Sequence, residues 1–283
     1  MDKKREIAGY VRLNFQRCLR QGKTIIILIA LFLFFQMYLG NVRGVLIKND
    51  EVLGLGEMFL AITNTNYTAF TIWAGFILLI CDIPYHEKGI YPYLLRTSKI
   101  SWFYGQLIYI VAITFFYFAY IFLLLLIMIA PQITIKLEWT KTFFQMINLP
   151  TKYGIESWFV FPVSIMRVQT PSILLVECVV LNLLAGILNG FLTMFLHMLW
   201  KNGPGIAVGV VELGFDYWIT VVLLGQEYLL YVSPLSLARI GNISASSYNH
   251  MKPGFSYACS FMVCIILISA AFMRKNVKTY EYD

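Results

Sequence analysis

The sequence predicts an all-α integral membrane protein: six transmembrane helices preceded by an N-terminal amphipathic helix at the membrane interface. Three observations predict it. The first is composition. Of 283 residues, 59% are hydrophobic and 13% charged, and mean hydropathy is +0.71. Soluble domains carry about 25% charged residues, so this chain has too little polar material to clothe a water-facing surface. It is also far too apolar for a disordered chain.

The second observation is the recurrence of apolar runs of spanning length, about 20 residues each. Six are read: Thr24–Gly40, Met58–Cys81, Phe103–Ala130, Ser172–Trp200, Gly205–Gly225 and Phe255–Met273. The third is the sidedness of charge. With a cytoplasmic N-terminus, 14 of the 22 Lys and Arg residues fall on the inner side. They cluster at Lys3–Lys23, at Lys88, Arg96 and Lys99, at Lys201, and at Arg274, Lys275 and Lys278. This is the positive-inside bias, and an even number of spans returns the C-terminus to the same side. The expectation is a multi-pass protein of the cell membrane with both termini cytoplasmic. The net charge of +7 then belongs to the membrane surface, and no nucleic-acid partner is expected.

Taken in chain order, residues 1–23 form the first unit. Ile7, Tyr10, Val11, Phe15, Cys18 and Leu19 recur on one helical face, with Lys4, Arg5, Arg12, Arg17 and Arg20 on the remainder. A basic amphipathic helix of this kind lies at headgroup level. The segment is too long and basic, and too poor in small residues after the apolar run, for a signal peptide. Residues 24–283 form the transmembrane unit. Its second span has a polar outer half, Thr63-Asn64-Thr65-Asn66-Tyr67-Thr68. A helix facing lipid does not tolerate that run, so this half faces a water-filled vestibule or the helix breaks there.

The inner loop 82–101 is rich in aromatic and aliphatic residues and punctuated by Pro84, Gly89 and Pro92. It reads as a docking surface for a cytoplasmic partner, with Tyr85, His86, Glu87, Lys88, Tyr93 and Arg96 as the contact residues. The outer segment 131–171 is too long for a simple connection. With Trp139, Phe143, Phe144, Trp158, Phe159 and Phe161, it reads as a cap on the outer headgroup layer. In the outer segment 226–254, Tyr231-Val232-Ser233-Pro234-Leu235-Ser236 breaks the helix near the outer surface.

Catalytic signals fail on inspection. Gly22-Lys23-Thr24 resembles the end of a phosphate-binding loop, but the glycine required five positions before Gly22 is Arg17. His86-Glu87 lacks the second histidine of a zinc-protease motif, because position 90 is Ile. His86, His197 and His250 fall at different membrane levels. The five cysteines form no CxxC pair and read as small packing residues. No catalytic, metal-binding or cofactor-binding residue is assigned, and the chain is not expected to be an enzyme by itself.

The informative polar residues lie inside the spans. Glu212 and Asp216 are four apart in the fifth span and share a face. At ~1.5 Å per residue from Gly205 they lie roughly 10 and 16 Å into the membrane. No basic residue of that span offsets them, so they face water or the bundle interior, or are protonated. The fourth span presents Asn182, Gly186, Asn189, Gly190 and His197 on one broad face. Two readings stand level: these faces line a translocation path, or they are polar glue between the two helices. The candidate path comprises Thr63, Asn64, Asn66, Asn182, Asn189, Glu212 and Asp216.

Three loops carry a family resemblance: Pro92-Tyr-Leu-Leu-Arg-Thr-Ser-Lys-Ile-Ser-Trp102 with Gly105-Gln106, Tyr231-Val-Ser-Pro-Leu-Ser-Leu-Ala-Arg239 with Pro253 and Tyr257-Ala258, and the turn Lys201-Asn202-Gly203. Over nearly the whole chain it resembles the type-2 ABC exporter permeases of Gram-positive bacteria, including those that export phenol-soluble-modulin-type toxins and lantibiotics. The resemblance implies a homodimer of permeases bound to two copies of a separate cytoplasmic ATPase. The ATP and Mg would sit on that ATPase. The elbow helix falls on Lys3–Lys23 and the coupling helix within 82–101. The resemblance also implies an amphipathic peptide, or another lipophilic substrate, as cargo. Two other classes compete: a secondary transporter coupled to an ion gradient at Glu212 and Asp216, and a sensor or immunity protein that sequesters a peptide without moving it.

Overall fold

The computed structural model describes residues 3–84, 98–136, 138–154, 161–200, 205–222, 227–244 and 252–277. Five of the described helices are long and apolar enough to cross a membrane. They are α2 (Gly22–Asn49), α5 (Lys99–Ile129), α8 (Pro171–Leu199), α9 (Gly205–Tyr217, continued by a π-helical turn to Val222) and α11 (Phe255–Asn276). The chain is therefore a multi-pass, all-α membrane protein. The apolar side chains that the bundle leaves uncovered are those expected against lipid. Ile26, Leu33 and Met37 stand out from α2, Phe115 and Ile127 from α5, and Leu267 and Ile268 from α11.

The second predicted span is not one helix. It divides at Thr65 into α3 (Glu57–Asn64) and α4 (Asn66–Ile80). Thr65 is extended, with ψ of 131°, and its hydroxyl donates to the Ala61 carbonyl at 2.9 Å. Thr63 bonds the Phe59 carbonyl in the same way at 2.7 Å. Local side-chain hydrogen bonds of this kind compete with the helical ladder. The break is satisfied inside protein: Thr63, Thr65 and Thr68 are buried. Of the two explanations for the polar run, the structure takes the broken helix rather than the vestibule.

Helix α1 (Lys3–Arg20) packs lengthwise on the first half of α5. Its buried stripe is Glu6, Tyr10, Asn14 and Cys18, at i+4 spacing. This stripe is shifted from the apolar face read in the sequence, because Ile7, Val11 and Phe15 are only half-buried and Leu19 is exposed. Tyr10 closes over Gly105, where an added Cβ would come within 2.6 Å of it. Asn14 donates to Gln106 at 3.0 Å, and Phe15 meets Tyr109 and Phe116 edge-on. The two helices climb together toward the start of α2. Polar Asn14 displaced the expected apolar contact because α5 offers it a buried glutamine.

The centre of the bundle is α8, which touches α3, α4, α5, α9 and α11. Gly186 and Gly190 lie against Thr114 and Ile110 of α5, leaving no room for a Cβ. The stripe read on the fourth span is therefore split. Its glycines seat the third span, as small residues at four-residue spacing allow, while Asn182, Asn189 and His197 meet the fifth span and the segment after it.

The outer segment 131–171 carries its own small core. β2 (Ile133–Thr134) pairs in parallel with β1 (Leu53–Gly54). Trp139 stacks on Phe143 at 5.4 Å, and both meet Phe161. Phe143, Met146, Tyr153 and Phe161 are buried. These aromatic residues face one another and the helix ends instead of spreading over a headgroup layer; Trp158 and Phe159 lie outside the described residues. Glu57 ties this cap down, accepting from the Gly54 and Thr140 amides and the Thr140 hydroxyl, each at 2.7 Å. Glu51 accepts from the Tyr153 hydroxyl at 2.7 Å. Burial and that carboxylate hold the Tyr153 phenol well above its ordinary range.

Candidate functional site

The segment after α9 does not stay outside. Short 3₁₀ turns at Glu227–Tyr231 and Ile240–Asn242 flank α10 (Pro234–Leu237). Leu235, Ser236, Leu237, Ala238, Arg239 and Ile240 are all buried. Ser233 caps α10 by accepting from the Ser236 amide at 3.2 Å, with Pro234 at the first helical position. That is the expected chemistry of a helix start. The sequence reading placed a break here correctly but put it at the outer surface. The structure folds it back into the bundle, because its alternating leucine and serine side chains have a prepared seat.

Asp216 is the floor of that seat. Its side chain is 2% exposed and pairs with the Arg239 guanidinium, itself 4% exposed. Ser236 donates its hydroxyl to the other carboxylate oxygen at 2.6 Å. The second guanidinium nitrogen of Arg239 donates to the side-chain oxygen Oδ1 of Asn66, at the start of α4. Asn64, the last residue of α3, accepts from the Gly241 amide at 2.7 Å. Gly241 lies so close to Asn64 that a Cβ would overlap it. From α8, Asn182 donates to the Ala238 carbonyl at 3.2 Å, and Cys178 joins it to Thr63 at 3.2 Å.

Four helices thus grip one re-entrant segment through polar side chains. Counting six residues from Asp216 to Val222, the grip lies ~9 Å below the outer end of α9. Irregular backbone at such depth is tolerated only when buried in protein or lining a cavity. Here the Ala238 carbonyl and the Gly241 amide of the plug find side-chain partners on α8 and α3. The π-helical turn begins two residues after Asp216, and Thr220 donates back to the Asp216 carbonyl at 2.7 Å.

Of the seven candidate path residues, five therefore meet around residues 233–241: Thr63, Asn64, Asn66, Asn182 and Asp216. No base of its own span offsets Asp216, and it faces the bundle interior, where Arg239 of the segment after α9 meets it. Arg239 lies in the segment 226–254, which the charge pattern assigns to the outer side. The available signal was its setting, Leu-Ser-Leu-Ala-Arg-Ile, a lone base in an apolar run.

Glu212 and Asn189 stand apart from this group. The two side chains lie beside each other, but the Asn189 amide donates to the Ala185 carbonyl of its own helix at 3.2 Å. Oε2 of Glu212 and Oδ1 of Asn189 are buried without a further partner among the described residues. Beside the clasp, α4 and α9 enclose a groove of about 410 Å³ lined by Asn66, Tyr67, Phe70, Gly214, Tyr217 and Val221. It is almost wholly apolar and shares Asn66 with the clasp. The docking residues Tyr85, His86, Glu87, Lys88, Tyr93 and Arg96 lie outside the described residues. The helices on either side of their loop are defined. Asp82 pairs with Lys23 at the end of α4, and Ser98 caps α5 by accepting from the Ser101 amide at 3.1 Å. All five cysteines are free; Cys18 and Cys178 pack in the core, and Cys264 faces outward. No group of metal-ligating side chains occurs among the described residues.

The chain matches no protein-family model, no curated protein and no solved structure.

Proposed function

We propose that this chain is the membrane-spanning permease subunit of an ATP-driven exporter, working as a pair with two copies of a separate cytoplasmic ATPase. The observation that carries this reading is mechanical. The inner loop 82–101 joins α4 to α5, and α4 begins at Asn66, inside the clasp. A push on the loop reaches α5 with α1 clamped along it, α2 through Lys23 and Asp82, and the outer plug through α4. A transport cycle needs such a link between an inner docking surface and an outer closure.

In this reading the clasp is the outer seal. Arg239 bridges α4 and α9 while the plug fills the space between α3, α8 and α9. Opening outward separates Asn66 from Arg239 and frees the plug. The lateral groove between α4 and α9 supplies the path's apolar wall, large enough for one or two bulky side chains of an amphipathic peptide. α1 serves as the elbow at the cytoplasmic face of the cell membrane.

The test is reconstitution of the permease with the ATPase encoded beside it. A stable complex is expected, with ATP hydrolysis stimulated by an amphipathic peptide. Charge reversal at Glu87 or Arg96 should lower coupled hydrolysis several-fold more than reversal at Lys136. No complex, or equal effects at the three sites, would overturn the reading. A second reading, an ion-coupled secondary transporter, is favoured by Glu212 and Asn189 with their unmet oxygens. It requires ATP-independent uptake along a proton gradient that Glu212→Gln abolishes.

A further inference from the structure

The junction of α1 and α2 holds a second groove that the clasp does not use. It has a volume of about 350 Å³ and no polar surface. Phe15 and Leu19 of α1, Leu28 of α2, and Ile113 and Phe116 of α5 form its walls, with Leu79 of α4 behind them. Leu19 and Phe116, at its open side, are 64% and 59% exposed. From Ile113 to Tyr120 the groove runs ~10 Å along α5, the length of several methylene groups. Tyr120 closes its far end, its hydroxyl spent on the Leu28 carbonyl at 2.9 Å.

The mouth is basic. Arg17, Arg20 and Lys23 lie in or beside the turn between the two helices, and Lys23 engages Asp82. Arg20 is exposed. The same turn is the N-terminus of α2, a 28-residue helix that no side chain caps. Its first amides and helix dipole favour an anion. An apolar slot open to lipid at one end of the spans, under a surplus of positive charge, has the two chemistries of one molecule.

We propose that the α1–α2 elbow is a binding site for an anionic glycerophospholipid of the adjacent leaflet. One acyl chain lies in the groove between Leu28 and Phe116. The headgroup phosphate meets Arg20, Lys23 and the α2 N-terminus. The lipid then fills the wedge between α1, α2 and α5 and fixes the angle at which α1 leaves the bundle. The proposal needs only the membrane-spanning fold, and it stands or falls independently of what the protein transports.

Native mass spectrometry of the full chain released from micelles tests it, with phosphatidylglycerol and phosphatidylcholine offered at equal concentration. One phosphatidylglycerol should be retained in preference to phosphatidylcholine. Each basic group near the phosphate should contribute roughly fivefold. Arg20→Gln should remove about that factor for phosphatidylglycerol alone, and Leu28→Trp should displace both lipids by filling the slot. Equal retention of the two lipids by the unmodified chain would overturn the proposal. A second measurement needs no variant. A phosphatidylglycerol with a photoreactive group midway along one acyl chain should label residues 24–28 and 113–120. Labelling spread evenly over α2, α5 and α11 would overturn the proposal.

Discussion

Asp216 and Glu212 occupy one face of one helix, a single turn apart, and the bundle treats them oppositely. Asp216 is met by a guanidinium and a hydroxyl, and through them α9, the plug and α4 are joined. Glu212 has one amide neighbour and an oxygen left over. The difference comes from the chain opposite each carboxylate. Above, the re-entrant plug brings Arg239 and Ser236 to the helix. Below, among the described residues, α8 and α4 pack on α9, and α4 presents the apolar Ile77 against Gly209, one turn before Glu212. An acid in a span thus reports very little until the partner segment is known. The upper acid is tied into the structure, and the lower one keeps an oxygen without a partner among the described residues.

The comparison breaks most severely at Arg239. Arg239→Ala leaves Asp216 buried without its base and releases α4, which Arg239 holds through Asn66. Removing one partner of a buried pair costs ~3–5 kcal/mol. The midpoint of thermal unfolding in micelles should fall more for this variant than for any other single change in the clasp. Asp216→Asn combined with Arg239→Leu should recover much of the loss, since it removes both charges. Failure of the double variant to recover would mean that the plug is held by packing and not by the pair.

The glutamate that anchors the cap comes next. Glu57→Ala frees two amides and a hydroxyl at once, and bonds to a charged acceptor contribute ~1.5–3 kcal/mol each in favourable cases. Amide exchange should quicken at Gly54 and Thr140 while the protection of α9 is unchanged. Gly241→Ala acts on the clasp by shape alone. Its Cβ would collide with Asn64, and overpacking of this kind costs ~1–3 kcal/mol. Partial loss of the Asn64 contact should appear as faster exchange at the Gly241 amide. Unchanged exchange would show that the plug has room to shift.

How much of this was legible depended on whether the signal was local. The long apolar helices, the polar interruption near Thr65 and the break at Ser233-Pro234 are written in contiguous residues, and the structure repeats them. The small-residue pair Gly186 and Gly190 was visible too, but which neighbour it seats was not, because a helix face does not name its partner. The clasp was half legible. Asn64, Asn66, Asn182 and Asp216 stood out as polar groups in apolar surroundings. Arg239 did not, because its partner is 23 positions away in the chain and its segment looks like an outer loop until it is seen to fold inward. The outer aromatic residues misled for a related reason. Trp139, Phe143 and Phe161 suit a membrane interface and a small protein core equally well by composition, and only their mutual packing decides.

The lower acid gives the smallest expected effect and the sharpest use of the comparison. Glu212→Gln keeps the shape beside Asn189, and it replaces a carboxylate whose second oxygen has no donor among the described residues. An amide there brings its own hydrogens and removes the need to desolvate a charge. Stability should change by less than ~1 kcal/mol and in the favourable direction. Asp216→Asn, in contrast, leaves the Arg239 charge buried and should destabilise by several times that amount. The pair of variants separates two meanings of an intramembrane carboxylate. If Glu212→Gln unfolded the protein as readily as Asp216→Asn, both acids would be structural, and the lower half of α9 would hold no group reserved for transport. If it stabilised the fold while impairing translocation, the unmet oxygen of Glu212 would be what the bundle retains at the cost of stability. The helix would then carry closure at Asp216 and transport chemistry one turn below.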